Sequence, residues 1–165
     1  MTRALVVALG LLVPAVGAAR GGGKGLGLGL AIGSPTGINL KKTLGARTAV
    51  DGTLGLNFLN GDGFTLHACF LWEASLASAS AGQFNGHLGL GGKLGVYDDD
   101  RGGRHKDDRD DDDDELWLGG RAPAGVSFAF RGVPLDVWLE LAAVLWVVEE
   151  VDLDFDGTLG VRYWF

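Results

Sequence analysis

The sequence predicts an all-β fold, an eight-stranded antiparallel up-and-down transmembrane β-barrel. The first supporting observation is the alternation of apolar and polar residues through the last fifteen residues, Val151 to Phe165. A period of two is typical of a strand with a different solvent on each face. This strand is longer than the usual five or six residues, and it is long enough to cross a bilayer at a tilt. The second observation is that the same alternation recurs in seven earlier segments, and the third is that the charges of all eight fall almost entirely on one face.

The N-terminus is typical of an export signal. Arg3 supplies a positive charge, Ala4 to Val13 is an apolar run, and small residues surround Ala18 and Ala19. This pattern predicts a signal peptide over residues 1–19, with cleavage after either Ala18 or Ala19. The apolar run is too short for a membrane anchor. Residues 20–165 are then expected to form a single barrel domain.

Composition excludes several classes of protein. The chain has 29 glycines and a formal net charge of −7, and its single cysteine, Cys69, has no partner for an internal disulfide. Residues 98–115 hold eleven acidic and four basic residues, so most of the net negative charge lies in one segment. A nucleic-acid partner is not expected, because the chain has no basic patch.

The first half of the mature chain is expected to contain four strands, at Gly25–Gly33, Ile38–Thr43, Val50–Phe58 and Phe64–Glu73. Ser34–Gly37 has the composition of a tight turn, and residues 60–63 give a strong turn signal. Ala74 to Gln83 is a run of small residues and is predicted to be a connection.

The second half is expected to contain four more strands, at Phe84–Tyr97, Leu116–Phe130, Leu135–Val147 and Val151–Phe165. The acidic segment 98–115 joins strands five and six. Pro123 interrupts strand six, which suggests a β-bulge because proline removes a ladder donor. Since most connections are too short for a helix, the strands are predicted to form an antiparallel meander.

The positions of the charges favour a closed barrel in lipid. Of twelve charges in the predicted strands, eleven lie opposite the apolar row, and only Lys42 shares it. A closed barrel pairs every backbone group, with an apolar outside and a polar inside. With eight strands the interior is only wide enough for side chains to fill, so we expect an ion-pair network in place of a pore. Its predicted members are Lys41, Asp51, Glu73, Lys93, Arg121, Asp136, Glu140, Asp152, Asp154, Asp156 and Arg162.

The topology also predicts which end carries which features. If the first strand starts in the periplasm, the acidic segment 98–115 is an outer loop, as expected for barrels with long loops outside and short turns inside. Five aromatic residues are candidates for the interfacial girdles: Trp72, Phe128, Phe130, Tyr163 and Phe165. Gly27, Gly29, Gly89 and Gly91 are expected to make room for larger inward side chains.

The whole pattern resembles small eight-stranded outer-membrane proteins of the OmpA transmembrane domain and OmpX type. The resemblance rests on the signal peptide, the eight alternating strands and the ending Leu159-x-Val161-x-Tyr163-x-Phe165. It implies that these four residues form a C-terminal signal read by the barrel-assembly machinery. The segments Gly33–Gly37 and Asp152–Gly157 are also similar to those of uncharacterised porin-like barrels from Gram-negative bacteria.

The sequence gives little support for a metal or cofactor site. Asp152-x-Asp154-x-Asp156-Gly157 matches the first half of an EF-hand loop, but Tyr163 occupies the position of the bidentate glutamate. The preferred interpretation is that these are carboxylates on the inward face of strand eight. The acidic segment 98–115 is a candidate for weak divalent-cation binding, against the alternative of a solvated charge run. No cofactor is expected.

Two alternative functions stay open. A lipid-modifying barrel enzyme needs a His/Ser pair at the lipid face, whereas His67 and His87 are predicted to point inward and no partner is evident for Ser75, Ser78 or Ser80. A soluble lipocalin-like carrier needs the two faces reversed. The preferred prediction is a monomeric Gram-negative outer-membrane barrel surrounded by lipid, with a structural or loop-presenting role, no enzymatic activity and a plugged interior.

Overall fold

The computed structural model describes residues 25–57, 63–97, 115–147 and 151–165. Its eight strands are β1 (Leu26–Gly33), β2 (Thr36–Gly45), β3 (Thr48–Asn57), β4 (Gly63–Ser78), β5 (Gly82–Tyr97), β6 (Glu115–Phe130), β7 (Leu135–Trp146) and β8 (Asp152–Trp164). Each strand pairs antiparallel with its neighbours in sequence, and β1 pairs with β8. The predicted fold, a closed eight-stranded up-and-down barrel, is confirmed.

No helix among the described residues is both long and apolar enough to span a membrane.

The register defines the geometry of the closed sheet. From Gly29 on β1, successive pairs around the barrel lead to Asn39, Thr53, His67, Lys93, Gly119, Trp146 and finally Asp152 on β8. Gly29 itself pairs with Arg162, ten residues further along β8. With eight strands and this stagger, the strands tilt by roughly 40° from the barrel axis, given the usual strand spacing and rise. An eight-stranded barrel has an interior only wide enough for side chains or one small ligand.

The two ends of the barrel differ. At one end, here the turn side, short connections at residues 46–47, 79–81 and 131–134 join the strands, and the chain ends at Phe165. At the other, the loop side, lie residues 34–35 and three connections of which residues 58–62, 98–114 and 148–150 are outside the described structure. The described connections are short at both ends, two to four residues at the turn side and residues 34–35 at the loop side, and the side of the membrane that each end faces stays a prediction.

The predicted connection from Ala74 to Gln83 is wrong. The ladder between β4 and β5 continues into both ends of this segment, from Glu73–His87 to Ser78–Gln83, with a bulge between Ser75 and Ala77. Only residues 79–81 turn the chain. The small residues there do not alternate in polarity, because most of this extension is exposed on both faces, so the pattern of a buried strand was missing.

The bulge predicted at Pro123 is also wrong. Pairing between β5 and β6 stops at Leu88–Ala124 and resumes at Gly91–Arg121 in the same register. The missing proline donor is therefore accommodated by a short gap in the ladder, while Pro123 keeps its place opposite Ala142 on β7.

Large inward side chains lie over glycines on neighbouring strands. A Cβ added at Gly160 would overlap the indole of Trp138, and one at Gly27 would overlap the side chain of Arg162. A Cβ added at Gly125 would lie 2.6 Å from the imidazole of His87, so this glycine also leaves space for a large side chain. Among the four predicted glycines, Gly89 makes room for Leu71, while Gly29 and Gly91 lie mainly against neighbouring backbone.

We predict that Gly160→Val destabilises the barrel by at least about 1–3 kcal/mol, because an extra side chain in a filled interior forces its neighbours to move. The matched control is Gly120→Val. Gly120 is exposed on the outer face, and no atom lies within 4 Å of a Cβ added there. Urea unfolding of both variants folded in lipid vesicles gives the comparison. Equal stabilities of Gly160→Val and the wild type would contradict this account of the packing.

Candidate functional site

Side chains divide sharply between the outside and the inside of the barrel. On the outer face, Leu88 is 64% exposed and Leu139 is 51% exposed, whereas Arg121 is only 2% exposed. The same division holds along the eight strands: apart from Lys42 on β2 and Asp152 at the start of β8, the exposed large side chains are apolar, and the buried charges point inward. The interior is consequently the place where charged groups can act on one another.

The first inward group, the turn-side cluster, is centred on Arg162. Its guanidinium donates from Nη2 to Asp51 Oδ2 at 3.2 Å and from Nε to the Asn39 amide oxygen at 2.9 Å. Asn39 in turn donates to Asp51 at 3.0 Å. Lys41 and Glu73 form a separate ion pair at 2.6 Å on the same side of the barrel.

Aromatic rings enclose the Arg162 guanidinium. The ring centroids of Trp138 and Trp164 lie 4.2 and 5.6 Å from its central carbon. The Trp164 indole N–H donates to Asp136 Oδ2 at 3.0 Å, so this carboxylate is shared between the ring and the nearby guanidinium. Cation–π contacts of this kind are stronger where water is excluded.

The second inward group, the loop-side cluster, is a chain of four charges. Lys93 donates to Asp156 at 2.7 Å, and Arg121 reaches both Asp156 at 3.2 Å and Glu140 at 2.8 Å. His87 Nε2 lies 2.8 Å from the other Glu140 oxygen. The two cations and two carboxylates balance in formal charge, which offsets the cost of burying them.

Of the eleven residues predicted for the ion-pair network, the structure places seven in these two clusters and two more, Lys41 and Glu73, in their separate ion pair. The other two lie at the loop-side rim: Asp152 is exposed and Asp154 is half-buried, and each accepts a hydrogen bond from the backbone N–H that follows it. Alternation gives the face of the sheet but not the depth, and β8 begins at Asp152.

Sequence reasoning missed the neutral members of the clusters. Asn39, Ser34 and His87 hydrogen-bond the buried charges, Ser34 through Asp156 at 3.0 Å. The rings of Trp138, Trp146 and Trp164 also point inward. The alternation of apolar and polar residues along the strands did indicate that these rings point inward. Spacing in the sequence does not indicate which charged side chain each ring contacts.

The His/Ser pair that a lipid-modifying barrel enzyme would need is not found among the described residues. His67 is buried without a hydrogen-bond partner, His87 is bound to Glu140, and neither is paired with a serine. Ser75 contacts Gln83 and Asn85 at the turn side. Within the described ranges, no group of three His, Cys, Asp or Glu side chains is arranged to hold a metal ion.

The four residues of the predicted assembly signal share the outer face of β8. Leu159, Val161, Tyr163 and Phe165 are all exposed. Tyr163 and Phe165 contact each other edge to face, with ring centroids 5.0 Å apart. Other outward aromatic pairs near the turn side are Phe84–Phe128, Phe128–Phe130 and Phe70–Trp72, so all five candidate girdle residues lie in an aromatic band near this end.

Two predictions fall outside the described residues. One is the signal peptide over residues 1–19, and the other is divalent-cation binding by the acidic segment 98–115, of which residues 98–114 are not described.

Among solved structures, the fold is similar to the N-terminal β-barrel domain of Pseudomonas aeruginosa OprF, with a TM-score of 0.59. The two chains are 11% identical over 85% of this chain and 95% of the other. The predicted resemblance is thereby confirmed at the level of the fold. No family model matches the sequence, and no curated protein matches it.

We predict that Arg121→Met destabilises the barrel by about 3–5 kcal/mol, because it leaves Glu140 and Asp156 with less compensation in a buried site. Arg47→Met is the control, since Arg47 is exposed at the turn side and the expected change is below about 1 kcal/mol. The double variant Arg121→Met/Glu140→Gln is expected to recover part of the loss. Urea unfolding measures all three, and additive losses in the double variant would contradict direct coupling.

Proposed function

We propose that this chain is an outer-membrane β-barrel that conducts little or no solute and acts as a structural or loop-presenting protein without enzymatic activity. The observation that carries the proposal is the one-sided distribution of charge. Ionised side chains are paired inside the barrel, while the outer wall is apolar along all eight strands.

Lipid is the environment that suits this outer wall. A soluble protein rarely exposes a contiguous apolar surface larger than a few hundred Å², and here the exposed leucines, valines and phenylalanines surround the barrel. A closed sheet also pairs its backbone groups internally, as hydrocarbon requires. An aromatic band near one end suits the boundary between headgroups and acyl chains.

A filled interior argues against a diffusion pore. Two clusters of ion pairs occupy the lumen at different heights, and indole rings pack beside the Arg162 and Lys93 cations. Glycines on neighbouring strands leave space for these large groups. Passage of a solute would require breaking buried ion pairs, which costs several kcal/mol each.

The proposed location and partners rest on sequence features. In this proposal the 1–19 signal directs export of the chain. The barrel-assembly machinery then recognises Leu159, Val161, Tyr163 and Phe165, and the protein resides as a monomer in the Gram-negative outer membrane. The acidic 98–115 loop then faces outward, where clustered carboxylates attract divalent cations. The soluble-carrier alternative is disfavoured, since it needs an apolar lumen and charged outer faces.

Two measurements test the proposal directly. Cell fractionation is expected to recover the protein with the outer membrane, and the folded protein is expected to change gel mobility after boiling. In planar bilayers we expect no large, steady single-channel conductance. A soluble periplasmic band without a mobility shift would contradict the membrane assignment, whereas steady conductance would contradict only the filled interior.

We predict that Leu139→Arg destabilises the barrel in lipid vesicles by about 2–4 kcal/mol, the cost of a cation near the middle of a lipid-facing strand. Leu44→Arg is the matched control, because Leu44 is exposed near the turn-side rim and the expected cost there falls to about 0–1 kcal/mol. Urea unfolding from vesicles measures both. If the two variants lose equal stability, the outer wall near Leu139 does not face hydrocarbon.

A further inference from the structure

The exposed charges of the barrel divide by sign between its two ends. Within the described ranges, the exposed cations are Lys42, Arg47 and Arg131, and all three lie at the turn side. At the loop side, the accessible charged side chains that the structure describes are Asp152, which is exposed, and Asp154, which is half-buried. The chain has a formal net charge of −7, so its turn side carries a charge opposite to that of the whole protein.

The side-chain carboxylates described at the turn side point into the barrel. Glu73 is half-buried and forms an ion pair with Lys41 at 2.6 Å. Asp136 is 4% exposed and accepts the Trp164 indole N–H at 3.0 Å. Neither carboxylate lies on the outer rim beside the three exposed cations. The rim therefore presents positive charge to whatever surrounds this end of the barrel.

Lys42 lies on the outer wall between two aromatic residues. It pairs with Leu26 on β1 and with Val50 on β3, and Val50 pairs in turn with Phe70 on β4. On the other side, Phe165 donates its backbone N–H to the Leu26 carbonyl oxygen at 2.9 Å. Lysine side chains on a lipid-facing wall extend their stems along the apolar surface and place the ammonium group in the headgroup layer. We therefore expect the Lys42 ammonium to lie among lipid headgroups.

Arg47 and Arg131 adjoin the same aromatic band. Arg47 directly precedes the first residue of β3, whose partner on β4 is Trp72. Arg131 directly follows Phe130, and its Nη1 donates to the Ser80 carbonyl oxygen at 3.4 Å. Aromatic rings at the surface of membrane proteins lie at the headgroup level. Both guanidinium groups are thus placed at the level of lipid phosphates.

We propose that the turn-side rim binds the headgroups of anionic glycerophospholipids, with Lys42, Arg47 and Arg131 donating to phosphate oxygens. Lysine and arginine are the side chains that bind phosphate, and cations near a membrane surface attract anionic lipid. Lipid suits the rim better than an acidic protein does, because Lys42 emerges from the apolar outer wall and not from the water-exposed end. This inference rests on the proposed membrane location and adds the class of lipid that surrounds the turn side.

The test measures which lipids surround the folded barrel. The protein is folded into phosphatidylcholine vesicles that contain a trace of spin-labelled phosphatidylglycerol or of spin-labelled phosphatidylcholine, and electron spin resonance gives the relative association constant. We expect phosphatidylglycerol to be preferred at least about twofold over the whole lipid shell, since each surface cation favours anionic lipid roughly fivefold at its own position. The preference is expected to disappear in roughly 1 M NaCl, where the Debye length is about 3 Å. Equal association of the two lipids at low salt would overturn the proposal.

Two triple variants assign the preference to the rim. Lys42→Gln/Arg47→Gln/Arg131→Gln removes the three charges and is expected to lose the preference. Lys42→Arg/Arg47→Lys/Arg131→Lys keeps the charges and is expected to keep the preference. All three positions are exposed, so both variants leave the buried ion-pair clusters intact. A wild-type preference in the neutral variant, or no preference in the charge-conserving variant, would contradict the assignment and overturn the proposal.

The control variant Asp152→Asn/Asp154→Asn separates a site at the rim from an effect of net charge. Each substitution removes one negative charge at the loop side, and the preference is expected to stay at the wild-type value. A rise per charge equal to the loss per charge in the neutral rim variant would overturn the proposal. Failure of the wild-type protein to insert into the vesicles would contradict the proposed membrane location itself. An inserted barrel without lipid preference would contradict only the rim site.

Discussion

The ion-pair chain from Lys93 through Asp156 and Arg121 to Glu140 is the constraint on which the rest of the interior depends. Each of these groups is almost fully buried, so none is compensated by bulk solvent. The attraction between them offsets desolvation only while their distances stay near 3 Å. Because the four residues come from β5, β6, β7 and β8, the chain also fixes how those strands are placed around the barrel.

Glycine makes such a dense interior possible. Inward glycines leave room for an indole, a guanidinium or an imidazole from a neighbouring strand. This is a different solution from a soluble core, in which medium-sized apolar side chains interdigitate from both sides. A high glycine content here is therefore a consequence of packing large polar groups into a narrow cylinder.

Much of the fold was predictable from sequence, because alternation in a strand with two unlike faces determines which residues point inward. Parity placed Arg121 and Asp136 inside and Leu88 and Leu139 outside. Alternation did not show how far along the barrel axis a residue lies. Asp152 was therefore grouped with the buried charges. Alternation also failed for residues 74–78, where most of the strand is exposed on both faces and the pattern disappears. Which side chains meet inside the barrel depends on the stagger between strands. The residue pattern within one strand does not contain that information.

Unequal strand lengths give the barrel wall an uneven height. β1 has 8 residues, whereas β4, β5 and β6 have 16 each. At the usual rise and a tilt near 40°, these lengths correspond to about 20 Å and about 40 Å along the axis. The apolar belt of membrane barrels is about 25 Å tall, so in the proposed membrane location the lipid beside β1 would have to compress while the lipid beside β5 would not. The bilayer around the protein would then be thinner on the flank formed by β1 than on the flank formed by β5.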